Sequence, residues 1–171
     1  MNRSTSSEQP AKSMVRRIGG YLHRTIPVFD EAGKIIHYTL QPLMVEFRPR
    51  DLMQVVVGAS ILAVPVAFTE ETWVLGDELP LVNILALSML SLLFISLFVY
   101  LNFYRFNLKG NVFEYCKRVA GIYFFSLLVV GLILTIIQKC PWGENSLLAL
   151  KRILIVAFPA SMSAAVSDSL K

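Results

Sequence analysis

Polar and hydrophobic positions divide this chain into two unequal parts. Residues 1–51 contain no long apolar run, whereas most of 52–167 is apolar. Within the apolar part, polar interruptions leave four segments: about Leu52–Trp73, Leu79–Phe103, Val119–Gln138 and Leu147–Ser167. Each reaches roughly 20 residues, enough for a helix to cross a hydrocarbon core of about 30 Å. Pro49 and Asp51 stand where helix-start signals belong for the first. Lys151 and Arg152 interrupt the fourth; begun at Ile153, it would be short for a full crossing. The pattern predicts an all-α membrane protein, a four-helix transmembrane bundle over residues 51–171.

The polar part is not uniform. Residues 1–20, rich in Ser, Gly and charge, read as a disordered tail. Residues 21–50 read as a small cytoplasmic head containing a β-hairpin. TIPVF and KIIHYTL, both rich in β-branched and aromatic residues, flank the sequence DEAG, which predicts a turn at Glu31–Gly33. Leu43, Val45 and Phe47 alternate with Met44, Glu46 and Arg48, which predicts a third short strand. Pro27 and Pro42 lack a ladder donor and belong at strand ends or edges. A sheet this small has no core of its own, so the head should rest on the membrane surface, on the spans or on a partner.

Composition agrees with the pattern. The chain is 55% hydrophobic, above the roughly 45–50% of soluble domains, and its mean hydropathy is +0.59. The net charge of +4 would suit nucleic acid, but eight of the sixteen Lys and Arg precede residue 52. Basic residues beside a span set its orientation, so no nucleic-acid partner is expected. Arg105, Lys109, Lys117 and Arg118 lie in or beside the second connection, whereas the first has no Lys or Arg and the third has Lys139. Both termini are therefore expected in the cytoplasm, with the protein a multi-pass component of the cell membrane. Arg16 and Arg17 precede no apolar h-region, so the first span should be retained as the insertion signal.

Candidate chemistry is sparse. No G-x-S-x-G, H-E-x-x-H or Gly-rich phosphate loop occurs, and neither His23 nor His37 falls near the serines of the spans. No catalytic residue, cofactor or metal ligand is assigned, and enzyme activity is not expected. Cys116 and Cys140 fall at opposite ends of one span, about 36 Å apart by helical rise, too far to bridge. Pro65 and Pro159 each sit inside a span and free a carbonyl one turn earlier, which predicts helix kinks. Ala59, Ala63 and Ala67 on the first span, and Ala157, Ser161 and Ala165 on the fourth, recur every four residues. Small residues at that spacing let helix backbones approach, so these two spans should meet.

An acidic cluster ends the first span: Glu70, Glu71, Asp77 and Glu78. Glu70 continues the stripe of Ala63 and Ala67, and Arg152 heads a stripe through Val156, Ala160 and Ala164. If those faces meet, Glu70 and Arg152 form an intramembrane ion pair, with Glu71 and Lys151 the second choice, because charge at that depth is costly unless paired. Asp77 and Glu78 would then be a solvated loop. The competing reading makes all four acids an outer mouth that concentrates cations.

The runs VVVGASILAVPVAFTEETWVLG, LFISLFVYLNFYR and FPASMSAAVSDSL resemble an uncharacterised family of small prokaryotic integral membrane proteins, domain of unknown function two-three-nine-one. F-T-E-E-T-W is the most specific part, and the resemblance covers about residues 50–170, outside the head. It implies a cell-membrane location in a prokaryote; the family has no assigned activity, so no catalytic residue carries over. The function expected is that of a multi-pass membrane protein acting through self-association or a membrane or cytoplasmic partner, in contact with the lipid bilayer. The alternative is a protomer of an oligomeric cation channel or transporter.

Overall fold

The computed structural model describes residues 14–18, 21–30, 35–42, 47, 49–105 and 111–170. It divides into two units, residues 1–46 and 47–171. The first is a small sheet of three antiparallel strands, β1 (Met14–Ile18), β2 (Tyr21–Phe29) and β3 (Ile35–Pro42), in the order β1-β2-β3. β2 and β3 are the two strands of the expected hairpin, with an irregularity at Val28/Phe29; the turn residues fall outside the described ones.

The strand expected over residues 43–48 falls, apart from Phe47, outside the described residues; the third strand that is described is β1. It precedes the hairpin, pairing Met14 with Thr25 and Ile18 with Tyr21. This corrects the reading of residues 1–20 as wholly disordered. Gly19 and Gly20 separate β1 from β2 in sequence, a dipeptide suited to a two-residue hairpin link. Residues 43–46 and 48 lie outside the described ones, and Phe47 is not in a strand. Pro27 sits inside the central strand, but past Thr25, the last β2 residue that β1 reaches. Among the described residues β2 is an edge on that side there, which is where Pro belongs.

The second unit is helical. It comprises α1 (Pro49–Ala67), α2 (Glu70–Glu78), α3 (Leu81–Val99) continued by a π-helical turn at Tyr100–Tyr104, α4 (Val112–Ile136) and α5 (Ser146–Ser169). Four of these stretches are long and apolar enough to cross a membrane: 49–67, 81–104, 112–136 and 146–169. The fourth span is uninterrupted, since Lys151 and Arg152 lie within α5. The first is shorter than expected, because α1 stops at Ala67 and the chain restarts as the charged α2. Thr69 is extended, with φ −87° and ψ 135°. Its hydroxyl and that of Thr72 donate to the Val66 carbonyl at 2.7 and 3.2 Å, which also accepts the Thr69 N–H at 3.2 Å, so this helix-end carbonyl is well satisfied.

α1 and α5 form the tightest seam. Ala59, Ala63 and Ala67 are buried against α5, whose Ala157, Ala160, Ser161, Ala164 and Ala165 are buried in turn. At Gly58 a Cβ would collide with the Ser167 Cβ and lie 2.9 Å from the Ala164 Cα. Backbone meets backbone there, as the small-residue spacing requires. Val130, Leu134, Ile153 and Val156 extend this core, while Val82, Met89, Phe124 and Leu132 face outward, as side chains in contact with lipid tails do.

Candidate functional sites at the two ends of the bundle

At the end where α1 begins and α5 finishes, a guanidinium is sealed inside the bundle. Arg118, in the second turn of α4, has no exposed side-chain surface. Its Nε donates to Asp168 Oδ2 at 2.7 Å and its Nη2 to Asp168 Oδ1 at 3.3 Å. Nη2 also lies 3.6 Å from Asp51 Oδ2. The pairing with Asp168 is bidentate, the geometry that recovers most of the cost of desolvating both ions. Asp51 occupies the first turn of α1, where the helix dipole favours a carboxylate; Asp168 occupies the last turn of α5, where it does not. Asp168 therefore depends on Arg118 far more than Asp51 does.

Aromatic rings close this cluster. The Phe103 ring centroid is 3.7 Å from the guanidinium carbon and that of Phe47 5.7 Å. The π-helical turn carries Phe103 and Tyr104; such a turn shifts the facing of side chains against an α-helix by inserting a residue. Tyr104 is fully buried and meets Tyr115 edge to face at 5.3 Å. Tyr115 in turn bonds the Ser96 hydroxyl and donates to the Ser96 carbonyl. Gly121 makes room for Phe47, since a Cβ there would come within 2.9 Å of its ring. One cation thus ties together α1, α4, α5 and the end of α3.

The opposite end carries the acidic cluster, and there the expected pairing is corrected. Arg152 donates to Asp77 Oδ2 at 3.3 Å and to the Lys139 carbonyl at 2.9 Å; its partner is not Glu70. The break after Ala67 is the reason. Glu70 and Glu71 open α2 as exposed residues, off the α1 stripe. The buried Gly76 lets α2 approach the Arg152 stem, since a Cβ at that glycine would lie 2.7 Å from the Arg152 Cγ. Asp77 and Glu78 belong to α2 rather than to a loop. Lys151 does not pair with Glu71 either: its ammonium donates to the Leu79 carbonyl at 2.7 Å. Two cations inside an apolar helix thus cap carbonyls at the two chain reversals. Lys139 and Arg152 both lie 5.5 Å from the Trp73 ring centroid. Burial pushes the Cys140 thiol up, against the opposing pull of the Thr135 hydrogen bond and the Arg152 charge.

Between the two ends the interior is apolar apart from hydroxyls. Ser91 and Ser161 are fully buried and bonded across α3 and α5 at 2.6 Å, and Ser126 donates to the Ile122 carbonyl at 2.7 Å. Pro65 and Pro159 both lie inside helices, Pro65 on an exposed face. Among the described residues, no group of three His, Cys, Asp or Glu side chains is placed to hold a metal ion.

The Arg118 cluster escaped sequence reasoning, though a signal was present. Asp51, Arg118 and Asp168 were each legible as flanking residues, and the expected topology puts all three at one end of the bundle. Opposite charges sharing one level of a membrane protein are candidates for pairing.

A family profile described as "Putative integral membrane protein (DUF2391)" matches residues 35–168. The match reaches past the membrane body into β3, farther toward the N-terminus than the resemblance at 50–170. No curated protein and no solved structure matches the chain.

Proposed function

We propose, from the premise that the chain belongs to the DUF2391 family of integral membrane proteins, that it works by association: a closed helical anchor that acts through contacts with copies of itself or with a protein partner. The observation that carries this reading is the closure of the bundle. Among the described residues its charged side chains gather at the two ends, and the α1–α5 seam leaves no space for even one methyl group at Gly58. A single chain built this way offers no wet route between its ends. The charged groups it buries are engaged with one another or with backbone, which is how a structural ion pair is stabilised.

The Lys and Arg asymmetry supports a cytoplasmic location for both termini, and with them the head and the Arg118 cluster, in a cell membrane. The channel reading draws less support, because Asp77 is held by Arg152 and is not a free member of an acidic mouth. Cation flux in reconstituted vesicles tests the choice. The expected result is flux no greater than in empty vesicles. Flux abolished by Glu70→Gln with Glu71→Gln would replace association with conduction.

A further inference from the structure

We propose that the cleft between α3 and α5 binds one acyl chain of a phospholipid whose phosphate sits beside Arg105. This goes beyond the association reading and does not depend on it. α3 and α5 touch where the fully buried Ser91 and Ser161 hydroxyls lie 2.6 Å apart. Beyond that contact, toward the end that holds Arg118, a cleft of about 340 Å³ lies between the two helices. Phe94, Phe98 and Leu101 line it from α3 and its π-helical continuation, and Met162, Ala165 and Val166 line it from α5. On the α5 side the buried Ala165 offers only one methyl group, which leaves the space unfilled.

Chemistry, width and depth select the occupant. The cleft lies inside two of the membrane-crossing stretches, 81–104 and 146–169, so hydrocarbon surrounds it. Among the described residues, the eight that line it are all apolar. Water needs two to four polar partners, whereas an apolar cavity of about 150 Å³ already takes up benzene. Phe94 to Leu101 rise about 10 Å, which gives the cleft a mean cross-section of about 30 Å². A helix about 10 Å across needs about 80 Å². One hydrocarbon chain fits; a helix of a second copy does not. Depth agrees with a chain from a single leaflet. The cleft begins past Ser91, near the middle of 81–104, and ends inside the π-helical turn, and half of the hydrocarbon core is about 15 Å. Arg105, which is exposed, follows Leu101 by four residues, about one turn on, where headgroups begin. A cation at that level attracts an anionic headgroup.

The test is photocrosslinking of the full chain in phosphatidylcholine vesicles that contain a phosphatidylglycerol probe with a diazirine midway along one acyl chain. Adducts mapped by mass spectrometry should be more abundant on 94–101 and 162–166 than on Met53 and Val57, which are exposed on α1 in the same half of the span. Val166→Trp, at an exposed position, fills the cleft from its mouth and should remove that excess while Met53 and Val57 label as before. Ala165→Leu fills it from the floor and should do the same. Arg105→Gln should lower cleft labelling about fivefold, the worth of one cation beside an anionic headgroup. Labelling by a diacylglycerol probe with the same chain should not change. Equal labelling of the cleft and the α1 face overturns the site, since lipid there would be ordinary solvent. An excess that survives both filling variants overturns it too. Oxidation of Val166→Cys to a dimer, in a Cys116→Ser, Cys140→Ala background, seats a second copy in the cleft and overturns lipid as its occupant. Labelling that Arg105→Gln leaves unchanged, or lowers alike for both probes, overturns the phosphate contact.

Discussion

Arg118 is held by partners that lie far away in sequence, Asp168 being 50 residues on, and that distance is what hid it. A pairing between helix ends has no local signature: each residue alone looks like an ordinary boundary charge. Glu70 shows the converse, since the stripe that recommended it ends where α1 ends. The two sites should respond differently to substitution. Arg118→Met strands Asp168 without its cation and should cost about 3–5 kcal/mol, the loss typical of breaking one half of a buried pair. Thermal unfolding in detergent measures it, and adding Asp168→Leu should return part of the loss. Glu70→Gln, at an exposed position, should stay within about 0.5 kcal/mol. A third residue is strained in the backbone. Gln138 has φ 59° and closes α4, with the Lys139 N–H donating to the Leu134 carbonyl at 2.9 Å. Gly is the residue suited to that position, and the left-handed conformation costs an L-residue about 1–2 kcal/mol. Gln138→Gly should therefore raise unfolding stability by about 1 kcal/mol.

At the scale of elements, what was legible was what repeats locally. Four apolar runs gave four spans, and four-residue spacing of Ala and Ser marked the faces of α1 and α5 that meet. What was not legible depends on one or two hydroxyls or on backbone winding. The end of α1 involves Thr69 and Thr72 reaching the Val66 carbonyl, two hydroxyls that no hydrophobic period marks. The π-helical turn at Tyr100–Tyr104 has no hydrophobic period of its own to announce it. The seam itself is open to test. Gly58→Ala forces a methyl group into space already filled by Ser167 and Ala164, and overpacking of this kind costs about 1–3 kcal/mol. Gly58→Leu should fail to yield folded protein. Ala120→Leu, at an exposed position of α4, is the matched control and should leave yield unchanged. Equal yields for all three would show that α1 and α5 do not approach as described.

For the whole molecule, two expectations join the fold to its setting. Topology comes first. Cys140 is a poor reporter of the α4–α5 connection, because it is buried and its thiol is pushed up, so less thiolate forms at a given pH and alkylation is slow. Gly143 is open, with nothing within 4 Å of a Cβ there. Gly143→Cys should label with an impermeant maleimide in intact cells, while the exposed Cys116 should label only after lysis. The reverse order would invert the orientation. The central claim, that this closed bundle works by association, is met most directly by its mass in mild detergent. A chain of 19.2 kDa is expected to emerge at a multiple of that mass or with a co-purifying protein, after the detergent contribution is removed. A bare 19.2 kDa monomer from membranes where the same chain conducts cations would contradict it.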